Sequence, residues 1–193
     1  MSEHGFHVHG PHDHELEHAA QHGNKDRFAG SIAVMTAILA TVGALFSYMG
    51  GATQANAGLF KNNAAIKKTE ASNQWNYYQA KSSKQNLAEL SVELVATDEK
   101  RAQYRSEVER YKKEKAAIQK DAEALEAQSK DWDAQSDAQM HLHHRWAQAT
   151  TALQISIAMA AMALLTRRKW LEYAMFGMAG IGVVLGGLAL AHI

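Results

Sequence analysis

The chain has 193 residues, with 20 Lys and Arg set against 20 Asp and Glu, one proline and no cysteine. Neutral net charge, and the lack of any RNA-binding or helix-turn-helix signature, give no case for a nucleic-acid partner. The missing cysteine excludes disulfides, thiolate chemistry and cysteine-based zinc sites. Mean hydropathy is slightly negative, but that average conceals a very polar middle between long apolar segments. The proline is Pro11, so almost everything after Arg27 is free to be helical.

Residues 1–27 form a His-rich tail. Seven histidines fall within it: His4, His7, His9, His12, His14, His18 and His22. His14, His18 and His22 recur every fourth residue, and a helix would stack them on one face. Imidazoles one turn apart suit Zn, Ni or Cu, with Asp13, Glu15 and Glu17 as oxygen ligands. His7, His9, His12, His14, His18 and His22 are the candidate metal ligands. The competing reading is a low-complexity His-rich tail that binds metal weakly or not at all.

Residues 28–52 read as the first transmembrane helix. Lipid cannot hydrogen-bond a peptide group, so an apolar run of ~20 residues crosses a bilayer only as a helix. The preceding tail and the apolar run both exceed signal-peptide proportions. Ala55-Asn56-Ala57 imitates a cleavage site, but an uncleaved anchor is the expectation. Residues 147–165 read as the second span and 171–193 as the third, joined by a basic turn over 166–170.

Orientation follows from short-loop Lys and Arg. Arg167, Arg168 and Lys169 should hold the turn in the cytoplasm, and Lys25 and Arg27 agree. The amino terminus is then inside and residues 53–146 outside, which is the periplasm for a bacterial inner membrane. Trp146 and Trp170 lie ~36 Å apart along a helix, which fits two headgroup zones. Trp146, Arg167, Arg168, Lys169 and Trp170 are the expected interface anchors.

Residues 53–146 must leave the membrane and return to it, which an antiparallel helical hairpin does. Thr97-Asp98-Glu99 offers an N-cap with early carboxylates and places the bend there. In the second arm Tyr104, Val108, Tyr111, Lys115, Ile118, Ala122, Leu125, Ser129 and Trp132 step four-three, a coiled-coil repeat. In the first arm Ile66, Thr69, Asn73, Asn76, Ala80, Ser83, Leu87, Leu90 and Leu94 are the expected answering seam. Asn73 and Asn76 either specify assembly or face water. So thin a seam is marginal alone, and stalks are expected to pack on other stalks. Trp75 and Tyr78 share a face, while Tyr77 points elsewhere.

Small residues repeat along the first span, with Gly43, Ser47 and Gly51, and along the third, with Gly182 and Gly186. Such spacing lets helix backbones approach in lipid. The expected oligomer interface combines these five with Asn73, Trp75, Asn76, Tyr78, Leu87, Leu90, Leu94, Tyr111, Ile118 and Leu125. The span centres lack the charges of pumps and transporters, although an oligomeric pore stays compatible. A second cluster, His141, His143 and His144, sits beside Arg145 and Trp146. No phosphate loop, Ser/His/Asp set or HExxH motif occurs, so no catalytic residue is expected.

Several stretches carry a family resemblance. They are His9 to His14 (HGPHDH), Tyr48 to Gln54 (YMGGATQ), Ser72 to Ser82 (SNQWNYYQAKS) and Leu164 to Trp170 (LLTRRKW). The chain resembles a bacterial membrane-protein family of unknown function (domain of unknown function 4337). The resemblance implies three spans and a helical middle, and carries no activity, cofactor or catalytic residue.

The expectation is therefore an all-α protein of three transmembrane helices, with a coiled-coil hairpin between the first two. The expected role is a non-enzymatic, homo-oligomeric inner-membrane scaffold. The alternatives are a metal-binding or metal-responsive protein using the tail, and an oligomeric channel.

Overall fold

The computed structural model describes residues 27–191, so the His-rich tail and its candidate metal ligands lie outside the described residues. Among those described the chain is all-α: α1 spans Arg27–Leu94, α2 Asp98–Thr166 and α3 Lys169–Leu190. α2 opens with Asp98 and Glu99 in its first turn, where carboxylates complement the helix dipole. Arg101 closes the bend by bonding Asp98 Oδ1 at 2.7 Å and the Val95 carbonyl at 3.1 Å. That second bond satisfies a carbonyl orphaned at the end of α1. The basic turn is narrower than the expected 166–170, because Thr166 and Lys169 are helical and only Arg167 and Arg168 are not. Arg167 takes the left-handed region, with φ 51°.

The chain divides into two compact units. One holds the described residues up to Gln54 and from Met140 onward. Each of its three helices carries a stretch long and apolar enough to cross a membrane. Two small clusters form its interior: Ile32, Ala160, Ala163, Leu171 and Met175 in one, Leu39, Leu153 and Ala179 in the other. Many large apolar side chains point outward instead, among them Val34, Ile38, Leu45, Ile155, Phe176, Val183 and Val184. An outward apolar surface is what a lipid solvent demands.

Several polar groups in this unit bond internally, although the buried Thr150 hydroxyl has no such partner. Thr36 donates to the Ile32 carbonyl, Thr53 to Met49 and Gly50, and Ser156 of α2 crosses to the Met175 carbonyl of α3 at 2.8 Å. Close approach depends on missing Cβ atoms. A Cβ at Gly182 would fall 2.8 Å from Leu153 Cδ2 and 3.2 Å from the Ala149 carbonyl oxygen, and one at Gly186 would overlap the Phe46 ring. Phe46 itself is packed on Trp146, ring centroids 5.2 Å apart. Gly43 likewise faces Leu153, so Gly43, Gly182 and Gly186 make their contacts within the chain.

The second unit, Ala55–Gln139, consists of one arm from α1 and one from α2. Contacts run in opposite chain directions: Lys61 with Asp133, Ala64 with Ser129, Lys81 with Glu114, Gln85 with Lys115. On α2 the inward positions are Tyr104, Val108, Tyr111, Lys115, Ile118, Ala122, Leu125, Ser129 and Trp132, the expected seam. On α1 the expected seam is corrected. The inward positions are Ala57, Phe60, Ala64, Lys67, Ala71, Gln74, Tyr78, Lys81, Gln85, Ala88 and Val92.

This set also steps three-four, but it lies two residues, or about 200°, around the helix from the leucine-bearing set. Fully buried alanines (Ala57, Ala64, Ala71, Ala88) alternate in this row with larger side chains, and the larger ones meet the bulky residues of α2, as Lys81 does Tyr111. Phe60 and Trp132 stack at 5.5 Å between the alanine positions.

Substitution of Gly186 by Ala should destabilise the three-helix unit by about 1–3 kcal/mol through overpacking on Phe46. Gly187→Ala, with open space around its Cβ, should be neutral or mildly stabilising. Unfolding in a mixed-detergent titration, followed by circular dichroism, measures both.

Candidate functional site

Three features of the helices bear on function, and the first is a ladder of crossed hydrogen bonds. Ser129 donates to the Ala64 carbonyl and Ser136 to the Ala57 carbonyl, each at 2.9 Å. In the other unit, His143 Nδ1 lies 2.8 Å from the Gly50 carbonyl. A carbonyl only accepts, so that nitrogen carries the proton. Donors and acceptors both recur every seven residues. Each carbonyl already serves its own helix and accepts the crossing donor in addition, and that of Gly50 also accepts the Thr53 hydroxyl. The donor can reach it because Gly50, Ala57 and Ala64 place nothing larger than a methyl group between the helices. The sequence reading missed this ladder. Its signal is small residues at Gly43, Gly50, Ala57, Ala64 and Ala71, one per heptad, facing Ser and His at the matching interval.

The second feature is an aromatic and charged belt. Trp75 Nε1 donates to Glu126 Oε1 at 2.8 Å, and its ring meets Tyr78 edge-on with centroids 5.6 Å apart. Lys81 sits over the Tyr77 and Tyr111 rings at 5.2 and 5.6 Å and pairs with Glu114 at 2.6 Å. Lys115 lies over Tyr78 at 4.9 Å and bonds Gln85. Trp75 and Tyr78 therefore serve the contact between arms, as do Tyr111, Ile118 and Leu125. Beside the belt runs an open groove of about 580 Å³ lined by Lys68, Ser72, Trp75, Asn76, Glu126 and Asp133 among others.

The third feature is the outward face of α1. Leu87, Leu90 and Leu94 are 65%, 55% and 74% exposed, and Ile66 is 47% exposed. Asn73 and Asn76 share that face and are exposed. The charges on its flanks are Lys68, Glu70, Lys84, Glu89 and Glu93, of which Glu70 is paired with Lys67. The exposed positions of the α2 arm are dense in charge by contrast, with Arg105, Glu109, Arg110, Lys112, Lys113, Lys120, Asp121 and Glu123 among them. A helix face that only meets water has no reason to keep leucines at heptad spacing and shed its charges.

The remaining expected residues place as follows. Ser47 and Gly51 are exposed on α1. Trp146 is 3% exposed and packs on Phe46. Its indole fills a helix contact rather than facing headgroups, which corrects its reading as an anchor. Gly50 makes room for it, since a Cβ there would approach Trp146 Cβ to 3.3 Å. Trp170, Arg167, Arg168 and Lys169 are exposed. The His143 and His144 rings lie 5.7 Å apart, tilted at 54°, and among the described residues no group of three potential metal ligands gathers.

The Lys81–Glu114 pair carries a pH dependence. The hydrogen bond from Lys81, aided by its charge, holds the Glu114 carboxyl below its usual range, and Glu114 raises Lys81 in return. Lys112 lowers Glu109 in the same way. A depressed carboxylate stabilises the fold above its ordinary range and loses that contribution as pH falls through the lowered value. Thermal unfolding monitored against pH should show a loss of stability on the acid side. Glu114→Gln should make that loss shallower, with the Glu109 share persisting.

Comparison with curated proteins and with solved structures finds no match. The family described as Domain of unknown function (DUF4337) matches residues 28–192, and the chain belongs to that family.

Proposed function

We propose that this chain is a non-enzymatic integral protein of a bacterial inner membrane. Its two arms form a coiled-coil hairpin that assembles with the hairpins of other copies into a membrane-organising scaffold. The observation that carries the reading is the outward face of α1. Its leucines, at heptad spacing and poor in neighbouring charge, are left uncovered by α2. Burying three leucines on association is worth about 1.5–3 kcal/mol each before ordering costs, and several copies in one bilayer face a small entropic penalty for meeting.

Sidedness follows the basic connector. Arg167, Arg168 and Lys169 favour the cytoplasm, which puts the hairpin in the periplasm. Within the hairpin, contacts of Lys81 with Tyr111 and Glu114, and of Lys115 with Tyr78 and Gln85, tie the two arms together.

Sedimentation in mild detergent should find a discrete oligomer. The triple variant Leu87→Glu, Leu90→Glu, Leu94→Glu should fall to monomer while keeping its helical circular-dichroism signal, because all three side chains are largely exposed. A wild-type monomer in both detergent and lipid nanodiscs would overturn the proposal, as would a triple variant that stays assembled.

A further inference from the structure

We infer that the outward ladder of α1 is covered by the same ladder of a second copy, parallel and in register, with Asn73 facing its own counterpart as the register-setting pair. This rests on the scaffold reading and adds to it the partner, the direction and the residue that selects the alignment.

Direction follows from connectivity. Residue 55 follows directly on the first apolar stretch, so every copy in one bilayer enters the arm from the same end. The ladder is also graded along its length. Leucines occupy Leu87, Leu90 and Leu94, and amides occupy Asn73 and Asn76. A parallel pair sets leucine on leucine and amide on amide. An antiparallel pair would press the leucines onto the asparagines and strand their amides in an apolar contact.

Internal bonding singles out the asparagines. The Thr69 and Ser83 hydroxyls already donate to the Ala65 and Gln79 carbonyls of their own helix. Asn73 and Asn76 have no side-chain bond of that kind within the described residues. A buried asparagine at a heptad core position is tolerated when its twin answers it, and it then penalises every other register and strand number. The flanks raise no objection: a parallel pair brings Gln79 towards Lys84, and Ser72 towards Tyr77, of the other copy, with no like charges opposed.

The natural chain has no cysteine, so single introduced thiols report cleanly. Thr69→Cys and Leu90→Cys should each be made in the full chain, reconstituted in lipid and oxidised with copper phenanthroline. Lys112→Cys, on the charged outer face of α2, is the background control. Both test variants should convert from monomer to disulfide-linked dimer well above the control. Only a parallel, in-register pair brings two positions 21 residues apart each onto its own twin.

Cross-linking at Leu90→Cys without Thr69→Cys would overturn the parallel register in favour of an antiparallel or tip-only contact. Cross-linking at neither, in a sample still oligomeric by sedimentation, would overturn this inference and leave the scaffold reading standing. Asn73→Leu should keep the assembly but broaden its single sedimenting species into several. An unchanged single species would overturn the role given to Asn73.

Discussion

Contact between α1 and α2 depends on the absence of side-chain bulk along one line of α1. At Gly50, Ala57 and Ala64 the helices come close enough for His143, Ser136 and Ser129 to reach main-chain oxygens. Each such bond contributes only about 1 kcal/mol net, but its geometry demands a short interaxial distance. Between these close points larger side chains of both helices meet, Phe60 with Trp132 and Lys81 with Tyr111. α1 is left with its leucines on the far side, and this is why a single helix carries two heptad rows.

The three-helix unit uses the same device among helices apolar enough to cross a membrane. Where lipid removes the hydrophobic drive between helices, dispersion contact and crossed hydrogen bonds carry the association. Gly182 and Gly186 admit Leu153 and Phe46, and Ser156 bonds across to Met175. Apolar bulk that would form the core of a soluble bundle is turned outward. Small residues therefore mean close packing in both units, while large apolar residues mean core in one and periphery in the other.

How much of this was legible in the sequence differs by element. The helical content and the three apolar stretches were plain, because proline is missing after residue 11 and glycine clusters within the apolar runs. The α2 seam was readable because its residues are large and its neighbours charged, so one row stood out. The α1 seam was not. Leucine outweighs alanine in any hydrophobic pattern, so the louder row was assigned to the intramolecular contact that the quieter row makes.

Trp146 misled for a related reason. Aromatic placement near a span end is compatible with both a headgroup anchor and a packed interior ring, and only the position of Phe46 distinguishes them. Gly43, Gly182 and Gly186 were recognisable as sites of close approach. Which helix approaches them is a tertiary fact that spacing does not encode.

The φ of 51° at Arg167 has a last implication. A left-handed backbone costs an ordinary side chain about 1–2 kcal/mol, and glycine escapes that cost. The tight bend thus tolerates local discomfort to retain a cation in a spot where a smaller residue would close the corner more comfortably. On the proposed topology, ease of turning and insertion polarity compete for one amino acid, so a change that relaxes the corner would also erode the charge bias proposed to orient its flanking helices.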